Sequence, residues 1–302
     1  MMDTDAVARI KELKRDIDAV ILAHNYQWPE VQDVADFVGD SLELSRQATK
    51  VAASTIVFCG VHFMAETAAI LNPSRRVLLA HAGAGCPMAD MIDEGSLQTW
   101  KEKYPEAAVV CYVNSSAAVK AMSDVCCTSA NAVKVVEAVP QRQVLFVPDE
   151  NLGRYVATKT DKEIITYPGF CITHYRLRAR DVEAARQAHP NAVMMAHPEC
   201  REEVWSRADA VLSTSQMLRF AKENPAQEFV VATECGILHR LQKENPGKTF
   251  HLLAENLVCP NMKKTTLASV VRTMEKQDTV VSVPEEIRVR ALSALERMLS
   301  IA

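Results

Sequence analysis

Three cysteines that recur at nearly equal intervals are the residues of this chain best placed to do chemistry together. Cys86, Cys171 and Cys259 each end a short turn of small or apolar residues, and they are separated by 85 and 88 residues. Three matched thiols suit a cluster of iron and sulfide with one iron left open, or a zinc ion with a vacant position. Either metal could hold a substrate carboxylate or hydroxyl at the open position and help it leave.

The remaining cysteines show no such threefold match. The chain has 302 residues and nine cysteines, an odd number that favours thiol or metal chemistry over a disulfide framework. We therefore predict that the other six are small apolar residues of the core: Cys59, Cys111, Cys126, Cys127, Cys200 and Cys235.

Groups able to transfer protons repeat with the same period. They lie in three triplets whose first residues are 88 and 85 residues apart: His24-Asn25-Tyr26, Tyr112-Val113-Asn114 and His197-Pro198-Glu199. A glutamate near a metal and out of bulk water is a natural general base, and tyrosine or histidine can donate a proton to a leaving group. These side chains are predicted to surround the same site as the cysteines.

Three hydroxyl residues, Ser41, Ser129 and Thr214, are also spaced by 88 and 85 residues. Each lies where a predicted strand gives way to a helix, so each is predicted to be a helix N-cap. Three helix N-termini directed at one cavity would bind a phosphate or carboxylate, although the chain as a whole is acidic.

The elements that must position these residues alternate between strands and helices of about ten residues joined by short links, which is typical of parallel sheets covered by helices. The matched spacing indicates one unit used three times. We predict a first unit formed by 1–87 with 261–302, a second formed by 88–172 and a third formed by 173–260. Ligands bind beyond the carboxyl ends of parallel strands, so the three units should direct those ends at a common point.

A helix is predicted before each unit, at 5–17, at about 88–103 and at about 176–188. A fourth helix at 263–276 and a final helix at 285–299 have no unit after them. We predict that both pack on the first unit.

Composition excludes several classes of partner. The formal net charge of −4 and the absence of a basic block argue against a nucleic-acid ligand. The first residues lack an export signal, and no uncharged apolar run has membrane-spanning length. These features predict a cytoplasmic protein that acts on small molecules.

Taken together, the motifs resemble those of the quinolinate synthase family over nearly the whole chain. The stretches that carry the resemblance are His24-Asn25-Tyr26-Gln27, Gly39-Asp40-Ser41, Tyr112-Val113-Asn114, Cys127-Thr128-Ser129, Pro148-Asp149-Glu150-Asn151-Leu152-Gly153, His197-Pro198-Glu199-Cys200 and Cys259-Pro260-Asn261-Met262-Lys263. The resemblance implies three pseudosymmetric three-layer αβα sandwich domains, each with a four-stranded parallel sheet, around a central active site. It also implies one 4Fe-4S cluster with three cysteine ligands, Cys86, Cys171 and Cys259, and one open iron.

The implied reaction, part of NAD biosynthesis, condenses iminoaspartate with dihydroxyacetone phosphate to give quinolinate, with release of phosphate and water. The resemblance implies Glu199 as general base, with Tyr26, Tyr112 and His197 moving or orienting protons. The implied substrate-binding residues are His24, Ser41, Tyr112, Val113, Asn114, Ser129, His197, Pro198, Glu199 and Thr214. The implied partners are L-aspartate oxidase or aspartate dehydrogenase as the imine source, and the iron–sulfur assembly machinery.

Two other functions remain open at this point. A zinc hydrolase could use the same three thiolates, and would be colourless and active with zinc. A non-catalytic iron–sulfur sensor would need a surface for nucleic acid or a protein partner, and no basic helix supplies one.

Overall fold

The computed structural model describes residues 3–301, and its strands form three separate four-stranded sheets. In the first sheet the strands β1 to β4 are Ala19–His24, Phe37–Gly39, Thr55–Cys59 and Arg76–Leu79. In the second sheet β5 to β8 are Ala108–Tyr112, Val125–Cys127, Gln143–Val147 and Glu163–Thr166. In the third sheet β9 to β12 are Val193–Ala196, Ala210–Val211, Glu228–Ala232 and Thr249–Leu252.

The three sheets have the same topology. Each places its second strand at one edge, followed by its first, third and fourth strands, and every pairing is parallel. This confirms the predicted fold class of three α/β units with four-stranded parallel sheets. The exact residue boundaries of the three units stay a prediction.

Helices connect the strands and cover the sheets. In chain order α1 to α14 are Thr4–Asp16, Pro29–Val34, Ser41–Ala48, His62–Leu71, Glu94–Lys103, Ala117–Ala121, Ala132–Ala138, Glu150–Ala157, Ala179–Ala188, Glu202–Trp205, Thr214–Glu223, Ile237–Glu244, Leu267–Lys276 and Glu285–Ile301. None of the described helices combines the length and the apolar composition needed to cross a membrane.

Burial of both sheet faces explains why the strands are continuous apolar runs. In β1, Val20 and Leu22 point into one hydrophobic cluster, whereas Ile21 and Ala23 point into another. Successive side chains of a strand alternate between faces, so a sheet with helices on both sides needs apolar residues at every position. The third sheet is built in the same way, with Val230 on one face and Val231 on the other.

The helices α5, α9 and α13, which were expected directly after the cysteine turns, begin a few residues later than predicted. A single turn of 3-10 helix precedes each of them, at Ala89–Met91, His174–Arg176 and Met262–Lys264. Each 3-10 turn begins three residues after Cys86, Cys171 or Cys259, so the local structure around the three cysteines repeats as well.

The two helices after the third unit take different positions. Helix α13 packs on α1, β3 and β4, as predicted. Helix α14 instead packs mainly on α6 and β6 of the second unit, with a smaller contact to α4 of the first. The prediction that both helices cover the first unit is therefore wrong for α14. Its buried residues Ala291, Leu295 and Met298 join a cluster that spans the first two sheets, which an isolated repeat pattern does not reveal.

Close backbone packing at Gly236 fixes the position of Tyr26. A Cβ atom on Gly236 would lie 2.6 Å from the carbonyl carbon of Tyr26 and 2.8 Å from the oxygen of Gln27. Gly247, by contrast, has open space around its Cα atom. Neither glycine needs a left-handed backbone conformation, so the two differ in packing alone.

We expect Gly236→Ala to lower the free energy of unfolding by about 1–3 kcal/mol, because the added methyl group must displace backbone atoms. Gly247→Ala is the matched control and should leave stability unchanged or raise it by about 0.4–1 kcal/mol. Urea unfolding of both variants measures the difference. Equal stabilities would contradict the packing argument.

Candidate active site

A cavity lies where the carboxyl ends of the three sheets meet. It is lined by residues of all three units and includes most of the side chains singled out from the sequence: His24, Tyr26, Ser41, Cys86, Tyr112, Asn114, Ser129, Cys171, His197, Glu199, Thr214 and Cys259. The repeat therefore does bring its matched residues to one place.

Val113 and Pro198, which were also predicted to bind substrate, do not line this cavity. Val113 is buried in the core and faces a small apolar pocket beside Phe58 and Phe63. Pro198 lines a separate groove between the second and third units, beside Tyr155. Each is the middle residue of its triplet, and the residues on either side of it are the ones that face the cavity.

Equivalent backbone contacts hold the three cysteine loops. The N–H groups of His62, Glu150 and Cys235 donate to the carbonyl oxygens of Ala84, Gly169 and Leu257, each at 2.8 Å. Each acceptor lies two residues before the cysteine of its unit. The carbonyl oxygens of Cys86, Cys171 and Cys259 then accept from the N–H four residues further on. These repeated bonds explain why the three thiols reach the cavity in the same way.

The three thiols fit a metal cofactor. Burial raises the pKa of Cys86 to about 12, and it raises the pKa of Cys171 and of Cys259 as well. Backbone N–H groups three residues later, on Ala89, His174 and Met262, act in the opposite direction and lower the pKa of each thiol. None of the three forms a disulfide. Buried thiols of this kind become thiolates when a metal binds and supplies positive charge.

The predicted N-caps are displaced by one residue in two units. Ser41 and Thr214 are the first residues of α3 and α11, and the caps are Asp40 and Ser213. Asp40 accepts from the N–H groups of Leu42 and Glu43 at 3.0 Å, and Ser213 accepts from Gln216. The cap prediction was wrong because the neighbouring residue can also cap a helix. Because Asp40 and Ser213 are the caps, the hydroxyls of Ser41 and Thr214 take no part in capping.

In the second unit the helix begins later. The N-cap of α7 is Asn131, and Ser129 lies in the turn that precedes it. The hydroxyl of Ser129 faces Nε2 of His197 at 3.2 Å, across the boundary between the second and third units.

His24 and His197 are neutral hydrogen-bond donors. In each, Nδ1 accepts a backbone N–H from two residues further on, Tyr26 at 3.2 Å and Glu199 at 3.3 Å. An accepting Nδ1 leaves the single proton of a neutral imidazole on Nε2. Burial lowers the pKa of both His24 and His197 to about 3, because a buried imidazolium loses its hydration.

Glu199 is the buried carboxylate of the cavity. Burial by itself raises the pKa of a carboxyl group, but the close approach of His197 and His174 and a hydrogen bond from Tyr112 outweigh it. The pKa of Glu199 is therefore held well below its usual range. Oη of Tyr112 donates to Oε1 of Glu199 at 2.5 Å, and Nδ1 of His174 lies 2.7 Å from Oε2. Burial also raises the pKa of Tyr112 well above its ordinary value, so the phenol keeps its proton.

His174 and Thr233 are the main site residues that the sequence analysis missed. Oγ1 of Thr233 lies 2.8 Å from Nε2 of His174 and 2.5 Å from Oη of Tyr26. Tyr26, Thr233, His174, Glu199 and Tyr112 therefore form a continuous chain of polar contacts through the buried site. Both missed residues lie outside the repeated triplets, although His174 is only three residues after Cys171.

Some polar atoms of the cavity have no partner within the described chain. Oδ1 of Asn114 is buried without a hydrogen bond, and Nδ1 of His174 approaches Glu199 without hydrogen-bond geometry. No lysine or arginine is among the described residues that line the cavity. A ligand that offers a hydrogen-bond donor would satisfy Oδ1 of Asn114.

The comparisons with known proteins agree on one family. The family model described as quinolinate synthetase A protein matches residues 8–300. The chain belongs to the quinolinate synthetase A family. The quinolinate synthase of Thermodesulfovibrio yellowstonii is 53% identical over 98% of both chains, and that of Dehalococcoides mccartyi strain BAV1 is 56% identical over 97% of both. Quinolinate synthase 1 of Methanosarcina acetivorans is 53% identical over 100% of this chain and 99% of its own.

In this member of the quinolinate synthetase A family, a second possible metal-binding set overlaps the cysteine site. One ligand atom from each of Cys171, His174 and Glu199 lies within 4.8 Å of the others. Zinc accepts such a mixture of sulfur, nitrogen and oxygen ligands.

Five of the six cysteines predicted to be packing residues lie in the hydrophobic core. Cys59, Cys111, Cys126, Cys127 and Cys200 are fully buried within the hydrophobic clusters. Cys235 is only partly buried, and its sulfur lies 3.5 Å from Oε1 of Glu234.

The neutral buried imidazoles predict sensitivity to acid. The pKa of His24 and of His197 is about 3 in the folded chain, against about 6.5 when unfolded. Between these values the unfolded chain binds protons that the folded chain does not, so the free energy of unfolding decreases as the pH falls. We expect His24→Gln and His197→Gln each to reduce this pH dependence, by up to about 1.4 kcal/mol per pH unit.

Urea unfolding of the metal-free protein between about pH 7 and about pH 5 measures this slope. His62→Gln is the control, because the side chain of His62 is 53% exposed. A slope unchanged in both buried-histidine variants would contradict the assignment of neutral imidazoles.

Proposed function

We propose that this chain is a quinolinate synthase, which condenses iminoaspartate with dihydroxyacetone phosphate to quinolinate and releases phosphate and water in NAD biosynthesis. One observation carries the proposal. The near-full-length match to quinolinate synthases coincides with three matched thiols and an ionised carboxylate on one cavity. A sequence match alone would not require these groups to face each other.

The proposed cofactor is one 4Fe-4S cluster held by Cys86, Cys171 and Cys259, with one iron left open. Three thiols without disulfides, each approached by a backbone N–H, are a suitable ligand set for such a cluster. When bound, the cluster would supply a Lewis acid that assists the loss of hydroxide from a reactant.

The side chains around it would handle the protons. Glu199 is ionised and shielded from bulk water, so it is the proposed general base for removing a proton from a substrate carbon. Tyr112 donates a hydrogen bond that holds the carboxylate of Glu199 in place, and His197 would orient the reactants through Nε2–H. Tyr26 would exchange protons through Thr233 with His174.

Uncharged groups of the cavity would bind the carboxylates and the phosphate of the two substrates. Ser41 and Thr214 begin helices α3 and α11 at the cavity, where the positive ends of the helix dipoles favour anions. Ser129, His24 and the unpartnered Asn114 add side-chain hydrogen-bonding groups. The apolar residues Phe63, Met64, Met88 and Ile172 line the remaining wall and exclude water.

The proposed setting is the cytoplasm, where an unstable imine must be supplied close to its point of use. L-aspartate oxidase or aspartate dehydrogenase is the proposed source, and the iron–sulfur assembly machinery would load the cluster. The formal charge of −4 fits small-molecule partners better than nucleic acid.

We expect Glu199→Gln to lower kcat by about 10²–10⁴-fold, because the amide cannot accept the substrate proton. Anaerobically purified protein, given dihydroxyacetone phosphate and iminoaspartate generated in the assay, is tested for quinolinate. Iron and sulfide contents of the variant should equal those of the parent. Full activity in Glu199→Gln would remove its role, and no product from the fully loaded parent would remove the proposed function.

Cofactor content tests the metal assignment separately. Cys86→Ser should lose most of the bound iron and sulfide, whereas Cys235→Ala, outside the matched set, should retain both. Metal and sulfide analysis with the visible absorption spectrum measures the loss. A colourless, active parent protein that contains zinc and no sulfide would instead support a zinc enzyme using Cys171, His174 and Glu199.

A further inference from the structure

Two of the three matched cysteines each have a buried carboxyl group beside their backbone N–H, and the third has none. Val61, Asp149 and Glu234 occupy equivalent places, each two residues after the end of the third strand of its sheet, and they are 88 and 85 residues apart. An apolar residue stands in the first unit and a carboxylate in the other two. Asp149 and Glu234 are both completely buried.

The two carboxylates make the same contact with their cysteines. Oδ2 of Asp149 accepts the backbone N–H of Cys171 at 3.2 Å, and Oε1 of Glu234 accepts the backbone N–H of Cys259 at 3.1 Å. The second oxygen of each accepts another backbone N–H, from Leu152 at 2.6 Å or from Gly236 at 2.7 Å. Val61 has no side-chain acceptor to offer Cys86.

These contacts are not required to attach the cysteine loops. The 2.8 Å backbone bond that joins each loop to the adjoining strand end is present in all three units, including the one with Val61. The first unit therefore brings its cysteine to the cavity without a carboxylate. Because a buried carboxylate is costly to desolvate, its presence at two equivalent positions calls for a role beyond loop attachment.

We propose that Asp149 and Glu234 are positioning residues that lower the reduction potential of the cysteine-bound cluster. The proposal rests on the proposed 4Fe-4S cofactor. Each side chain accepts the N–H of a cysteine ligand, so that N–H is not available to donate to the cluster sulfurs. Each also places acceptor oxygens next to that cysteine. Hydrogen bonds to the sulfurs and local charge are among the factors that set the potential of such clusters.

A low potential suits the proposed chemistry, because the cluster would act as a Lewis acid and exchange no electrons with the reactants. The two residues differ in their surroundings. Nζ of Lys263 lies 3.0 Å from Oε1 of Glu234, whereas burial and the nearby charge of Glu199 raise the pKa of Asp149 well above its usual range. The effect common to both residues is therefore the hydrogen bond that each accepts from a cysteine N–H.

The test is a redox titration of the cluster-loaded protein, followed by electron paramagnetic resonance and performed without substrates. Asp149→Asn can still cap α8 through its carbonyl oxygen, but its amide nitrogen cannot accept the N–H of Cys171. We expect a more positive midpoint potential in both Asp149→Asn and Glu234→Gln, because each loses an acceptor of a cysteine N–H. Asp3→Asn, which changes the exposed capping aspartate of α1, should leave the potential unchanged.

An unchanged potential in Asp149→Asn, with iron and sulfide at the parent level, would overturn the proposal. If Asp149→Asn binds less cluster, the titration of Glu234→Gln decides, and an unchanged potential there has the same meaning. Failure of the proposed function is distinguishable, since it would appear as missing quinolinate or a zinc-containing protein before any potential is measured.

Discussion

A buried carboxylate in a cavity whose described lining contains no lysine or arginine is the constraint on which the site depends. Glu199 is sealed from water, and no lysine or arginine is among the described residues that line its cavity. The phenol of Tyr112 and the imidazole of His174 lie against its two oxygens and stabilise its charge. Losing one such partner would leave a buried charge poorly compensated, which typically costs several kcal/mol. The hydrogen bond from Tyr112 therefore joins the second unit to the third as well as preparing the site.

The three units repeat the same backbone structure around the site, but they differ in the side chains that they place in the cavity. The sheets, cysteine loops and 3-10 turns repeat three times with nearly identical contacts. The last residue of the triplet, in contrast, is Tyr26 in the first unit, Asn114 in the second and Glu199 in the third. Equivalent positions thus present a phenol, a neutral amide and a carboxylate to one cavity. A single chain achieves this asymmetry because each copy of the unit can change independently.

The parts of this arrangement that could be predicted from the sequence are those that repeat. Matched spacing at Cys86, Cys171 and Cys259 was enough to predict their common cavity, and alternation of strands and helices was enough for the parallel sheets. The repeat did not reveal His174 or Thr233, because neither occupies a matched chemical position. It also placed Ser41 and Thr214 at the caps instead of one residue inside the helices, since Asp40 and Ser213 are equally good caps. Helix α14 was misplaced because its apolar face is set by tertiary contacts with α6 and β6.

The neutrality of the donors has a consequence for how anions enter the site. His24 and His197 carry no charge near neutral pH, because burial lowers the pKa of each to about 3, so they can orient a carboxylate without attracting it strongly from a distance. A reactant with several negative charges also meets the charge of Glu199. The starts of α3 and α11 offset part of this repulsion, and in the proposed function the metal offsets the remainder. In the proposed function, anion binding would therefore depend on the cofactor as well as on the helix termini.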